Sequence, residues 1–254
     1  MTKAKRVERN SGVAIWRQIS EEIRGDIMAG KLQSGERMPA EMVLAERFGV
    51  NRHTVRSAIA ALTQEGVLRA EQGRGTFVAN ARRLTYQIGR RTRISQSLAA
   101  QASDVTGTLI GSMLEIAPND VAQALALPVG SEVIRLDTTN RADGHPVSRA
   151  THWLDAGRFP HFSEHYAEFG SITRALQKSG IEDYFRKSTV ISAQHADSDD
   201  LKHLNLSPGA IVLVARAINI DPDGTPIQYS LTRFSADRME LSIETHNGLN
   251  DQNQ

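Results

Sequence analysis

A chain of 254 residues with no cysteine and a formal net charge of +1 has length for one or two domains, each with its own core, and excludes disulfides, thiolate zinc sites and cysteine nucleophiles. No run of about 18 apolar residues offers a membrane helix, and the basic stretch from Met1 to Asn10 lacks the apolar segment of a secretory signal, so a soluble, cytoplasmic protein with no membrane partner is expected. The small net charge hides a split: residues 1–93 hold 18 Lys and Arg against 9 Asp and Glu, a net of +9, and the remainder holds 12 against 20, a net of −8. A basic head joined to an acidic body fits a nucleic-acid-binding domain on a domain that does not touch a phosphate backbone.

In chain order, residues 13–29 place Ile15, Ile19, Ile23 and Ile27 four apart on one stripe, the pattern of an amphipathic helix stopped by Gly30. Pro39, a favoured first helical residue, opens a short second helix marked by Val43, Leu44 and Phe48. Gly49 turns the chain, Asn51 is a favoured N-cap and Gly66 a left-handed stop, so a third helix lies between them. Stepping about 100° per residue, Val55, Ile59 and Leu62 fall within roughly 60° of arc, while His53, Arg56, Ser57 and Ala60 lie on another face. One face packs, and the other is free to read a partner. An ordinary amphipathic helix with a solvated basic face also accounts for this stretch taken alone. Val67–Arg69 and Thr76–Val78 flank a tight Glu71-Gln-Gly-Arg-Gly75 loop, a hairpin whose tip carries Arg74. Helix, helix-turn-helix and hairpin make a winged helix, in which the tip lies beside the third helix.

Residues 80–93 are polar, rich in arginine and without helical period, the character of an interdomain linker leading into the first strand of the next domain. Beyond them the chain repeats itself. Leu125-Ala-Leu-Pro-Val-Gly130 with Asp143-Gly-His-Pro146 is echoed by Leu204-Asn-Leu-Ser-Pro-Gly209 with Asp223-Gly-Thr-Pro226, an offset of 79 that becomes 80. Each copy reads helix, turn, strand, Asp-Gly hairpin, strand: helices over 119–125 and 198–204, strands over 133–140 with 147–154 and 211–220 with 227–234. A further helix is expected over about 171–179. The fold class is α+β: an N-terminal winged helix-turn-helix domain (residues 11–79), a linker (80–94), and a C-terminal antiparallel-sheet domain with internal pseudo-duplication (95–246).

His161-Phe-Ser-Glu-His165 fits the His-x-x-Glu-His pattern of inverted zinc peptidases, with His161 and His165 as ligands and Glu164 activating water. A short connecting helix explains the same residues, and no third ligand is apparent. No Gly-x-Ser-x-Gly elbow or dinucleotide fingerprint is present. No catalytic site, metal or cofactor is expected.

Gly35-Glu-Arg-Met-Pro-Ala-Glu41, Leu44-Ala-Glu-Arg-Phe-Gly-Val50, Arg52-His-Thr-Val-Arg56 and Gln72-Gly-Arg-Gly-Thr-Phe-Val78 resemble the head of GntR-type transcription regulators. The resemblance implies that Arg52, Thr54 and Arg56, with wing residues Gln72 and Gly73, contact a palindromic DNA operator; Asn51, His53 and Arg74 are expected to join them. Asn51 and His53 stand where relatives often carry Ser or Thr, and Met42 where some carry a DNA-contacting arginine. Residues 95–245 resemble the UTRA effector domain of the HutC branch, whose fold is like that of chorismate lyase without its activity. This implies a homodimer and a ligand cleft between the pseudo-symmetric halves. Short segments, Arg91-Thr-Arg-Ile-Ser-Gln-Ser-Leu98 and Val50-Asn-Arg-His-Thr54, look most like regulators of phosphonate uptake and degradation. The pocket positions implied are Arg93, Ser95, Thr138, Asn140, His152, Ser171, Thr173 and Gln228. Thr138, Asn140, Ala150, Gln228 and Phe234 depart from members that sense amino-sugar phosphates. The expected function is a repressor of phosphonate uptake and degradation genes released by a small effector, a phosphorus oxyanion metabolite; regulators of the same family that sense a sugar phosphate or a histidine-pathway acid are the alternative.

Overall fold

The computed structural model describes residues 12–79 and 83–243. The basic N-terminal stretch, the first three residues of the expected linker and the last three of the expected C-terminal domain lie outside the described residues. The chain divides into two compact units, one running up to Arg82 and including Asn205–Pro208, the other formed by the rest from Arg83 onward.

The first unit holds α1 (Ile15–Met28), α2 (Glu41–Phe48), α3 (Arg52–Gln64) and an antiparallel pair, β1 (Leu68–Glu71) and β2 (Gly75–Val78). Ile19 and Ile23 of α1 are fully buried against Leu44, Phe48, Val55 and Leu62, and Ile15 and Ile27 pack at the margin of this cluster. Each buried Leu, Ile or Phe contributes about 1.5–3 kcal/mol, which is what holds α3 against its two neighbours. Gly49 (φ +64°) takes the left-handed conformation that ends α2, and the Asn51 side chain accepts the Thr54 N–H at 2.8 Å to start α3. Two details differ from the sequence reading. Pro39 precedes the helix, with Ala40 as the N-cap residue and Glu41 first, and Val43 is exposed, because the buried stripe of so short a helix is completed by Leu44, Ala45 and Phe48.

The second unit is built on a six-stranded antiparallel sheet in the order β4-β5-β6-β9-β8-β7. Its strands are β4 (Val105–Ile116), β5 (Glu132–Ala142), β6 (His145–Asp155), β7 (Phe185–His195), β8 (Ile211–Ile220) and β9 (Pro226–Ser235). The helices are α4 (Ile94–Ala99), α5 (Asn119–Leu125), α6 (Phe162–Phe169), α7 (Ile172–Lys178) and α8 (Ser198–Leu204). Two more strands, β3 (Leu84–Ile88) and β10 (Met239–Ile243), pair in parallel as a small second sheet. The stretch read as a connector thus contributes β3 to this unit. Phe159, Phe162, Tyr166 and Leu176 pack with Leu136 and Leu154, and Tyr86 and Met239 pack with Leu98 and Phe234.

The duplication is larger than the sequence motifs show. The 79-residue offset carries the end of β4, Ile116, onto the end of β7, His195, so each copy comprises an edge strand, a helix and a hairpin. The two hairpins differ at their tips. Asp143 (φ +47°) and Gly144 (φ +78°) close β5 and β6 in a two-residue turn of the kind Asp-Gly favours. Between β8 and β9 the loop is longer and folds over the Asp221 carboxylate, which accepts the N–H groups of Asp223 at 3.1 Å and Thr225 at 2.9 Å. That added length accounts for the change of offset to 80. Thr151 faces Leu231 across β6 and β9, and these two residues are themselves 80 apart, so the pseudo-two-fold axis passes through this pair.

Candidate functional sites

In the first unit the exposed end of α3 and the tip of the β1–β2 hairpin gather the expected DNA-facing residues. Arg52 and Arg56 are 62% and 64% exposed. His53 is exposed, and Gln72, Gly73 (φ +74°) and Arg74 form the hairpin tip. Asn51 and Thr54 are partly spent on each other: beyond the capping bond, the Thr54 hydroxyl donates to Asn51 Oδ1 at 2.8 Å. Arg74 pairs with Glu71 at 2.5 Å and lies 5.6 Å from the Phe77 ring centroid. A second acidic residue, Glu41, stands among the cations of α3. Glu41 accepts from Arg56 Nε at 3.1 Å and Nη2 at 2.9 Å, and lies 3.6 Å from Arg52 Nη2. The Arg56 hydrogen bonds, with the charges of both arginines, hold the Glu41 carboxyl below its ordinary value.

In the second unit a small cavity of about 60 Å³ opens at the pseudo-two-fold axis, room for several waters or a compact polar group. Seven of the eight expected residues line it: Arg93, Ser95, Asn140, His152, Ser171, Thr173 and Gln228. Thr138 does not. It stands on the same face of β5 as Asn140 but is fully buried, its hydroxyl 3.1 Å from His152 Nε2 and donating to the Ala150 carbonyl oxygen at 3.4 Å. Symmetry is visible in the lining. Asn140 and Asn219 are 79 apart, and His152 and Ala150 have Thr232 and Ser230 as their counterparts 80 residues on; all six line the cavity.

The polar wall is a directed chain. Arg186 can only donate, and its Nε bonds Asn219 Oδ1 at 2.8 Å. Asn219 Nδ2 donates to Gln228 Oε1 at 2.6 Å, and Gln228 Nε2 lies 2.9 Å from His152 Nδ1. With these directions fixed, His152 Nδ1 is the acceptor and its Nε2–H donates to Thr138. The imidazole is neutral: burial pushes its pKa from 6.5 down to about 4, and Arg186 adds to the effect while Asp137 opposes it. Burial likewise pushes Tyr166 up to about 12.

Two guanidiniums and no carboxylate line the cavity. Arg93 is gripped by Asp183, its Nη2 2.7 Å from Oδ1, and stacks 4.6 Å from the Tyr184 ring centroid. Its Nε is buried with no hydrogen-bond partner among the described residues. A buried donor without an acceptor is costly, and an oxyanion entering the cavity supplies one. Thr173 and Tyr184 share a 2.8 Å hydroxyl hydrogen bond, and Ser171 Oγ caps its own helix through the Arg174 N–H at 3.4 Å. An open groove shares Ser95, Asn140, Gly170, Ser171 and Thr173 with the cavity. Gly107 and Gly170 pass so close there that a Cβ at Gly107 meets the Gly170 carbonyl oxygen at 1.9 Å.

Sequence reasoning missed Arg186, Asn219, Tyr86, Tyr184, Ser230 and Thr232. Asn219 was within reach by applying the repeat offset to Asn140, whereas Arg186 stands on β7, a strand the motifs did not reveal. His165 Nδ1 is engaged with Ser179 Oγ at 2.9 Å, and no group of three or more metal-ligating side chains occurs among the described residues. Nor is any helix there long and apolar enough to cross a membrane.

A winged helix with an exposed cationic reading face, and a separate sheet domain holding a polar cavity, are the parts of a transcription regulator with a sensor domain. The comparisons make the assignment specific. "Bacterial regulatory proteins, gntR family" matches residues 16–78 and "UTRA domain" matches residues 100–240. An uncharacterized HTH-type transcriptional regulator of Rhizobium meliloti is 48% identical over 95% of this chain and 99% of its own. The probable transcriptional regulator PhnF of Escherichia coli is 33% identical over 83% of this chain and 87% of its own. The crystal structure of PhnF from Mycobacterium smegmatis, 23% identical, shares the fold with a TM-score of 0.61 over 90% of this chain and 99% of that one. The chain belongs to the GntR family of regulators, in its HutC branch with a UTRA domain, a family that binds DNA through the head and small effectors through the UTRA domain.

Proposed function

We propose that the protein is a cytoplasmic homodimeric repressor whose two α3 helices enter successive major grooves of a palindromic operator and which a phosphorus oxyanion, a phosphonate or phosphate compound, releases. Arg52 and Arg56 are the main readers, Asn51, His53 and Thr54 assist at the helix start, and Gln72, Gly73 and Arg74 bring the wing to the backbone or minor groove. The observation that carries the effector assignment is the cavity lined by Arg93, with its unpartnered buried Nε, and Arg186, without a carboxylate. Ser95, Asn140, Ser171, Thr173 and Gln228 supply further polar contacts around such an anion, and His152, held neutral, adds no third charge. The likeness to regulators of phosphonate metabolism agrees with that chemistry. Edge strand β4 supports a partner copy, since Ile110, Met113, Leu114 and Ile116 are exposed along it.

Selection of bound genomic fragments identifies the operator. Titration of the purified protein on that operator with methylphosphonate, inorganic phosphate, a hexosamine phosphate and urocanate then tests the effector. The expected result is release by a phosphorus compound through a coupling of about 1–3 kcal/mol. Release by urocanate alone, or a preference for the hexosamine phosphate, overturns the phosphonate assignment.

A further inference from the structure

Glu41, the first residue of α2, lies within hydrogen-bond distance of Arg56, the cation at the centre of the reading face. The geometry is side-on: Arg56 Nε reaches Oε1 at 3.1 Å and Nη2 reaches Oε2 at 2.9 Å. A guanidinium carries five N–H groups in a fixed plane. This pairing uses the Nε–H and one Nη2–H, and leaves both Nη1–H groups and the other Nη2–H. Those remaining groups form the end-on fork that matches O6 and N7 of guanine. The carboxylate is itself well placed. It is 27% exposed, and α2 is anchored beneath by Leu44 and Phe48 in the same buried cluster as Val55 and Leu62 of α3. A long, exposed side chain that would otherwise sample many rotamers is therefore held in one plane before any partner arrives.

The charge works in the opposite sense. A carboxylate beside Arg52 and Arg56 offsets part of their attraction to phosphate and stands close to where a polyanion would lie. It weakens binding to any duplex, whatever its sequence. Glu41 thus lowers the sequence-independent part of affinity while organising the sequence-dependent part.

We infer that Glu41 is a specificity-determining positioning residue: it grips Arg56 by one edge and presents the other to a guanine of the operator. This rests on reading α3 as the operator reader. The test uses the full-length protein, the selected operator, a scrambled duplex of equal length, and operator variants with each guanine replaced in turn. In Glu41→Gln, binding to the scrambled duplex tightens, and the ratio of operator to scrambled affinity falls by at least about tenfold, the size of one good bidentate base contact. Glu41→Asp keeps the charge on a shorter stem, so scrambled binding stays near that of the parent while the ratio still falls. In an Arg56→Lys background, Glu41→Gln lowers the ratio no further. Matching thermal unfolding of the variants separates these effects from loss of fold. A ratio within twofold of the parent in both Glu41 variants overturns the inference alone. A parent protein that does not distinguish operator from scrambled DNA overturns the reading of α3, and the inference with it.

Discussion

The arginines of the head's reading face and those inside the sheet domain live in different physical worlds. In the first unit Arg52, Arg56 and Arg74 project from the surface, each at least 62% exposed, and their pairing with Glu41 and Glu71 is in water. Exposed pairs of this kind are worth little, ~0–1 kcal/mol, so the side chains can exchange partners at low cost when a phosphate backbone arrives. In the second unit Arg93 and Arg233 are 10% exposed. Arg233 is bound to the fully buried Asp200 at 2.6 Å, and Arg93 keeps one buried donor unpaired. Buried cations are fixed by their partners and select for what can satisfy them. The first arrangement suits a long polyanion met by many weak contacts, the second a small anion met by a few strong ones.

The largest effect separating the two regions comes from the buried pair. Asp200→Asn takes from the Arg233 guanidinium its buried carboxylate and leaves it only the more distant, half-exposed Asp197 at 3.5 Å, and chemical denaturation should show a loss of about 3 kcal/mol or more in the second unit. A loss under 1 kcal/mol would show that this cluster behaves like the surface pairs of the head.

Next in size is a pH effect confined to the cavity wall. The His152 pKa falls from 6.5 to about 4 on folding. Between those values the unfolded imidazole is protonated and the folded one is not, so stability decreases as pH falls from about 6.5 to 4 and the loss levels off below. It amounts to up to roughly 3 kcal/mol. His152→Gln should flatten the stability curve across that window relative to the parent.

In the head the expected effects fall on binding and leave stability unchanged. Arg56→Ala should cost about 1–3 kcal/mol on the operator and relax preference at one base position. Arg74→Ala, at the wing tip, should weaken operator and unrelated DNA alike and reduce the salt slope by about one, the smallest of these changes.

How much of this was legible in the sequence follows burial. The helices over 119–125 and 198–204 and the four strands of the two hairpins stand where their apolar patterns and Asp-Gly turns put them. These elements bury residues such as Val121, Leu125, Val133, Leu136 and Leu204, so the pattern is written into them. The strands that escaped notice, β4 and β7, are the two edges of the sheet, and neither contains a fully buried residue. Two glycines and a Thr/Ser-rich β4, and an Arg-Lys-Ser-Thr opening to β7, leave no alternation to read. The parallel pairing of β3 with β10 joins residues about 155 apart, beyond any local pattern. Much of the cavity lining came through family likeness. Arg186 was missed because its strand was, and Thr138, on the same sheet face as Asn140 and Ala150, is kept from the cavity by burial, which no sequence pattern records.

The division of labour between the two kinds of arginine is tested most directly by a crossed measurement: operator affinity and methylphosphonate or phosphate binding, each determined for Arg56→Ala and Arg186→Met. Arg56→Ala should lose operator binding and keep anion binding, and Arg186→Met should keep operator binding in the absence of anion and lose the anion and its effect on release. Equal loss of both activities in either variant would contradict the account.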